Sequence, residues 1–220
     1  TRGAFVRETA GMSTRESMPK SFPTFDLETA AIAEGFDIVA GIDEAGRGPW
    51  AGPVVAAAVV LDAANIPAGL NDSKKLSAAR RDELFDAITA SAAIGIGIAD
   101  VALIDDQNIL QATMWAMAEG LQLLPVKPGL ALIDGNRAPK INCPARTVVK
   151  GDAVSVSIAA ASIVAKVTRD RMMAELDTQF PGYDFARHKG YGTAIHQEAL
   201  TQLGPCPAHR RSFAPIRAML

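Results

Sequence analysis

Short apolar runs, several ending in acids, alternate along most of this chain with stretches of helical periodicity. Asp37–Glu44 (DIVAGIDE) is the first such run and Pro53–Leu61, apolar and largely β-branched, is the second, with a Gly/Pro turn between them. Ala92–Ala99 (AAIGIGIA) predicts a third strand, in which Gly95 and Gly97 permit close approach of another backbone. Gly129–Asp134 and Arg146–Lys150 predict a fourth and a fifth. Helical spacing marks Ala78–Ala90, with Leu84, Phe85 and Ile88 on one face, and Asn108–Leu124, opened by an Asn108 cap and stopped by Pro125. A long helix is expected over about Val154–Asp177 and a short one over Ala194–Leu203. Three sequential strands, then strands alternating with helices, imply an α/β fold whose sheet is part antiparallel and part parallel.

Composition narrows the class. The 220 residues are 49% apolar and 21% charged, enough to bury a sizeable core and too apolar for a disordered chain. The longest uninterrupted apolar run, residues 54–61, is too short to cross a membrane. Residues 1–24 are polar and lack a signal-peptide core, so a flexible arm or extension is expected there and the folded domain over 25–220. Cys143 and Cys206 form no CxxC pair, which argues against a disulfide scaffold or zinc ribbon and fits a reducing cytoplasm. Cys206 and His209 have ligand-like spacing but no second pair.

The net charge of −2 conceals a gradient. Residues 43–162 hold 10 basic and 13 acidic residues; residues 163–220 hold 8 basic and 5 acidic, with all three histidines. That pattern suits a metal-dependent enzyme on a polyanion, and equally an ordinary solvated surface.

Acids stand where strands end. Asp43 and Glu44 close the first strand, Asp134 closes the fourth, and Asp152 opens the long helix. The carboxyl edge of the sheet is the usual ligand edge of an α/β protein. Four carboxylates converging there would repel by about 4 kcal/mol per close pair at intermediate effective dielectric. Hard divalent cations such as Mg²⁺ or Mn²⁺ would relieve that repulsion. Singly, Asp152 reads equally as a helix cap and Asp134 as a turn former. Gly46-Arg47-Gly48-Pro49 follows the first pair of acids. Its glycines fit a dinucleotide motif, but the flanking prolines and the strand that follows refuse it. Either it is a rigid loop that approaches substrate closely, with Arg47 reaching a phosphate, or a tight hairpin with a solvated arginine.

On the long helix, Asp152, Ser155, Ser162, Lys166 and Arg169 share one face. A carboxylate at its start and cations farther along suit a phosphodiester backbone running past a metal, although a solvated face remains an alternative for Arg169. Tyr191 in the turn Lys189-Gly190-Tyr191-Gly192 either stacks on a base or sugar or packs its loop on the core. His209-Arg210-Arg211 are phosphate contacts or solvated charge, and Asp72-Ser73-Lys74-Lys75 is a loop and helix entry.

At GIDEAGRGPWAGPVVAAAVV (41–60) the chain resembles the ribonuclease HII family, the bacterial type 2 ribonucleases H. The likeness continues through NDSKKLS (71–77), LIDGN (132–136), KGDAVSVSIAAASIVAKVTRDRMM (150–173), RHKGYGT (187–193) and HRRSFAPI (209–216). It implies a ribonuclease H-like fold with a mixed five-stranded sheet and a C-terminal helical annex from about residue 178. It implies that Asp43, Glu44, Asp134 and Asp152 are catalytic and bind two divalent ions, Mn²⁺ or Mg²⁺. Gly46, Arg47 and Gly48 match the motif that reads the ribose 2′-hydroxyl at an RNA–DNA junction, and Tyr191 matches the tyrosine stacking on the next deoxyribose. Lys166 and Arg169 match basic positions facing phosphates. Trp50 is bulkier than the leucine expected there.

The resemblance further implies an endonuclease that hydrolyses the RNA strand of RNA/DNA hybrids and nicks 5′ to single ribonucleotides in duplex DNA. The ends would be a 3′-hydroxyl and a 5′-phosphate, with no protein nucleophile, in keeping with no cysteine or serine placed by the acids. A role in DNA repair and replication, a cytoplasmic monomer and no membrane partner are expected. Three alternatives stand beside it: a ribonuclease HIII-like hybrid nuclease, disfavoured by the short arm, Asp152 and Arg47; a non-catalytic nucleic-acid binding module; and a metal-dependent phosphatase.

Overall fold

The computed structural model describes residues 22–220. The expectation of a flexible arm over 1–24 therefore lies mostly outside the described residues. Its last residue belongs to the fold, because Thr24 bridges Ser155 and exchanges backbone hydrogen bonds with Val154 and Val156.

Five strands, β1 (Val39–Ala45), β2 (Val54–Val60), β3 (Ala93–Ala99), β4 (Leu130–Asp134) and β5 (Ala145–Val148), form one sheet in the order β3-β2-β1-β4-β5. β1, β2 and β3 pair antiparallel, whereas β1–β4 and β4–β5 are parallel. This is the mixed sheet that the strand–helix alternation implies. The helices are α1 (Asp26–Ala33), α2 (Ala78–Ser91), α3 (Val101–Gln122), α4 (Val156–Gln179), α5 (Phe185–His188), α6 (Ala194–Leu203) and α7 (Ala214–Arg217). Helix α3 covers β1–β3 on one face; α4 covers β1 and β2 on the other, with α2 packed against it.

Small residues set the spacing between these layers. A Cβ added to Gly97 would stand 2.0 Å from the Ala116 carbonyl, and one on Gly95 2.0 Å from the Gly120 carbonyl, so α3 lies directly on the β3 backbone. Helix α4 is buried on nearly every side from Val156 to Ala165, as a helix enclosed by a sheet and a second helix must be. Its alanines permit that depth.

Beyond shifts of a residue or two at strand ends, several helices differ from the sequence expectation. Helix α1 was not anticipated: it is short, and Phe25 at its start provides no side-chain cap. Asn108 does cap a helix, accepting from the Leu110 and Gln111 N–H groups, but a further stretch capped by Asp100 precedes it. The two pieces run on as α3 with Asn108 at φ 71 in the joint. Residues 151–153 form a separate 3₁₀ turn, so α4 begins two residues later than expected.

The C-terminal annex has its own core, in which Tyr183, Phe185, Leu200, Ala208 and Ile216 surround Met173 of α4 and Ala51 of the β1–β2 turn. No helix among the described residues is long and apolar enough to cross a membrane.

Candidate active site

β1 and β4 run parallel with Ile42 opposite Ile133, so the next residues, Asp43 and Asp134, reach the same carboxyl edge together. Val39, Leu130 and Leu132 pack against Ile158 of α4, whereas Ala40, Ile42, Ala131 and Ile133 pack on the α3 side. Strand alternation therefore puts Asp43 and Asp134 on the α4 face and Glu44 across the strand end from them. Asp152 arrives from the turn ahead of α4, where the Gly151 N–H donates to Asp134 Oδ1 at 2.7 Å. Asp43 is 4% and Asp152 8% exposed, while Glu44 and Asp134 are half-buried.

This concentration of carboxylates resists ionisation. Burial lifts Asp43 well above the usual carboxylate range, and the charges of Glu44 and Asp134 lift it further. Glu44 is raised by burial against the pull of Arg47, and Asp152 by burial and then by Asp72 and Asp134. Lys74, although its partial burial acts the other way, is held protonated by Asp43, Asp152, Asp72 and Asp134. Among the described residues no three candidate ligands are already gathered around one point. The acids instead share one sheet edge, close enough for their charges to raise one another's pKa. An all-oxygen donor set with excess negative charge fits a hard divalent cation.

Two groups at this edge were not assigned from sequence. Asp72 and Lys74, noted there only as part of a loop and helix entry, lie among the acids. Ser162 also corrects the expectation that no serine stands by them: it stands beside Asp43, where it opposes the rise in that acid's pKa, and its Oγ lies 2.8 Å from Ser73 Oγ. It is 4% exposed and acts as a support for the acid. The helical stripe running from Asp152 through Ser162 was the available signal.

The Gly46–Pro49 turn borders this acidic edge. Arg47, with its side chain half exposed, reaches back to Glu44 Oε1 at 3.3 Å. A Cβ on Gly48 would lie 3.5 Å from Tyr191 Cε1, so the turn and Tyr191 share one surface, and Tyr191 is 48% exposed rather than packed on the core. Trp50 fills the space behind Gly192 and against His196.

The basic residues behave differently from expectation. Arg169 does not face phosphates: it is 1% exposed and donates to the carbonyls of Pro53, Lys189 and Ala51. Arg210 is buried likewise, and only Arg211 of the 209–211 run is exposed. Helical spacing puts Arg169 on the stripe of Asp152, but the annex folds over that end of α4. Lys166 is half-buried with Nζ 2.6 Å from Asp170, and burial lowers its pKa.

The three histidines line the annex core, each against Phe185. Gly190 N–H donates to His188 Nδ1, so the Nε2–H of His188 donates to the Tyr183 carbonyl. His196 Nδ1–H donates to the Tyr191 carbonyl at 3.0 Å, and its Nε2 accepts from His209 Nε2–H at 2.9 Å. His209 Nδ1 in turn accepts from the Cys206 N–H, and Cys206 Sγ lies 3.2 Å away, a hydrogen-bonded contact in place of a metal-ligand pair. Burial pushes His196 and His209 down to about 4.

An acid-lined carboxyl edge on a sheet of this order, flanked by helices on both faces, defines a metal-dependent nuclease of the ribonuclease H fold. A family model described as Ribonuclease HII matches residues 40–216, and the chain belongs to that family. It is 57% identical over 195 residues to ribonuclease HII of Azorhizobium caulinodans, covering 89% of this chain and 75% of that protein. The crystal structure of ribonuclease H2 from Pyrococcus horikoshii OT3 superposes with a TM-score of 0.70 at 27% identity, over 83% of this chain and 96% of that one. Bst-RNase HIII in complex with Mn²⁺ shares the fold, with a TM-score of 0.68 at 21% identity over 95% of this chain and 75% of that one. The chain is thus a metal-dependent ribonuclease of the type 2 ribonuclease H class.

Proposed function

We propose that Asp43, Glu44, Asp134 and Asp152 hold two divalent ions, Mg²⁺ or Mn²⁺, and that the enzyme nicks immediately 5′ to a ribonucleotide, leaving 3′-hydroxyl and 5′-phosphate ends. The observation that carries this reading is the adjacency of the acidic sheet edge to the surface formed by Gly48 and Tyr191, bridged by the Arg47–Glu44 contact. Ions held by these acids would lower the pKa of a bound water so that hydroxide is available near neutral pH, and would offer Lewis acidity to the leaving oxygen. The Mn²⁺ complex of the HIII enzyme on the same fold supports the choice of ion.

The chain's own groups do the rest. The turn Gly46-Arg47-Gly48 presents backbone N–H groups to the ribose 2′-hydroxyl, the one group that separates RNA from DNA at that position. The Tyr191 ring stacks on the following deoxyribose, and the Arg47 guanidinium lies within reach of a neighbouring phosphate. Lys74 supplies a positive charge beside the acids, and Ser162 stands against Asp43. Residues 25–220 act as one catalytic unit, including the annex from about 178. The site is assembled within one chain, as a monomer requires, and two free, half-buried cysteines suit the reducing cytoplasm.

The test is a DNA duplex with one embedded ribonucleotide, incubated with Mg²⁺ or Mn²⁺ beside an all-DNA duplex and an Asp134→Asn variant. A nick 5′ to the ribonucleotide, absent from both controls, is expected. Cleavage confined to longer hybrids would overturn the junction reading, and tight duplex binding without cleavage would make the chain a binding module.

A further inference from the structure

Two arginines stand buried behind the turn that borders the active site, and neither forms an ion pair among the described residues. Their charges are met by carbonyl dipoles instead. Arg210 donates to the carbonyls of Gly46, Arg47, Pro49, Gly52 and Pro53 at 2.6–3.2 Å. Arg169 donates to Ala51, Pro53 and Lys189 at 2.9–3.0 Å. Together they gather the carbonyls of residues 46, 47, 49, 51, 52 and 53, and the Lys189 bond ties in the loop that carries Tyr191. That loop is also held by the Trp50 N–H, which donates to the Gly190 carbonyl at 2.8 Å.

The arrangement dictates where the turn's donors point. In a planar trans peptide the C=O of one residue and the N–H of the next are antiparallel. With the Gly46 and Arg47 carbonyls drawn inward to Arg210, the N–H groups of Arg47 and Gly48 point outward, and neither has a partner among the described residues. Gly46 has its own place in this packing: at φ +99, a Cβ there would stand 2.0 Å from Arg169 Nε.

We propose that Arg169 and Arg210 are positioning residues for ribonucleotide recognition, a two-guanidinium clamp that holds the Arg47 and Gly48 N–H groups toward the substrate and fixes Tyr191 beside them. The inference rests on the junction reading above. The clamp depends on the planar, multi-donor guanidinium: a lysine ammonium, a single point of charge, cannot span five carbonyls. Burial lowers Arg210 to about 9 and Arg169 to about 10, so both stay charged near neutral pH.

The experiment compares wild type, Arg210→Lys and Arg169→Lys on two substrates, a duplex with a single ribonucleotide and a long RNA/DNA hybrid. The active fraction of each preparation is fixed by near-ultraviolet circular dichroism. Loss of folded protein lowers both rates together, whereas loss of turn geometry lowers the ratio between them. Arg210→Lys is expected to reduce kcat/KM on the single ribonucleotide, relative to the hybrid, by tenfold or more. Arg169→Lys keeps the five Arg210 bonds, so it keeps the test open if Arg210→Lys yields no folded protein, and it is expected to shift the ratio in the same direction by a smaller factor. A wild-type ratio in a folded lysine variant, whether its two rates are unchanged or fall in parallel, overturns the clamp. A wild-type enzyme that does not cut the single ribonucleotide overturns the junction reading itself, whatever the variants do.

Discussion

Gly151 donates its backbone N–H to the Asp134 carboxylate at 2.7 Å, joining the end of β4 to the turn that carries Asp152. Two acids 18 positions apart in the chain are held at one edge by a single bond. Asp43 reaches the same edge through strand register, and Lys74 is the cation that the other groups share.

Crowding of the acids sets stability against catalysis. Asp43→Asn keeps the oxygen that accepts the Glu44 N–H at 2.7 Å while removing a buried charge. Cleavage is expected to fall at least a thousandfold. The metal-free variant should melt a few degrees higher than wild type, since about 1 kcal/mol corresponds to about 2–4 °C at this size. Melting in EDTA beside a cleavage assay checks both, and a lower melting temperature would contradict the electrostatic account.

Divalent cations are expected to stabilise the protein more at pH 7.5 than at pH 5.5. The folded pKa values of Asp43, Glu44 and Asp152 are raised, so these groups favour the fold at low pH and that contribution is lost as pH rises through their folded values. Bound cations compensate for it where the acids are ionised. Thermal melts with and without Mg²⁺ at the two pH values measure the difference.

The histidine chain carries the opposite pH dependence. With His196 and His209 lowered to about 4, the unfolded chain takes up protons first as pH falls from about 6.5. Stability from these rings is present above that range and lost on acidification toward 4, by up to about 1.4 kcal/mol per pH unit for each histidine. Subtracting the denaturation free energies of His209→Gln from those of wild type at pH 7, 6 and 5 isolates the effect from the carboxylates. A difference that does not change with pH would exclude it.

Gly97→Ala tests the close contact of β3 with α3. The new Cβ would meet the Ala116 carbonyl at 2.0 Å, so the helix must shift, at a cost of about 1–3 kcal/mol or more. A urea midpoint equal to wild type would show that α3 does not lie so close.

Local chemistry made much of this molecule readable in advance. The apolar runs of β2 and β3, the acid at the end of β4 and the capped, alanine-rich α4 each arise from residues adjacent in the chain, where periodicity and end signals act. The family likeness then named the four acids, Arg47 and Tyr191 from contiguous motifs. Helix α1 escaped because its stability comes from docking: Glu28 is wholly buried and accepts from the Ser155 side chain and the Ser157 N–H. Nothing within eight residues of short helix signals such a contact.

Arg169 and Arg210 show the same limit from the other side. On sequence they read as exposed cations for phosphates, because a charge is expected in water unless something distant covers it. Their partners are backbone carbonyls, all but that of Lys189 lying 116 to 164 positions away, and backbone carbonyls carry no sequence signature. Strand ends and helix starts follow from short-range patterns, whereas the burial of a charge depends on which remote segment folds over it. For that reason the acids could be placed at the sheet edge beforehand, and the cations behind the turn could not.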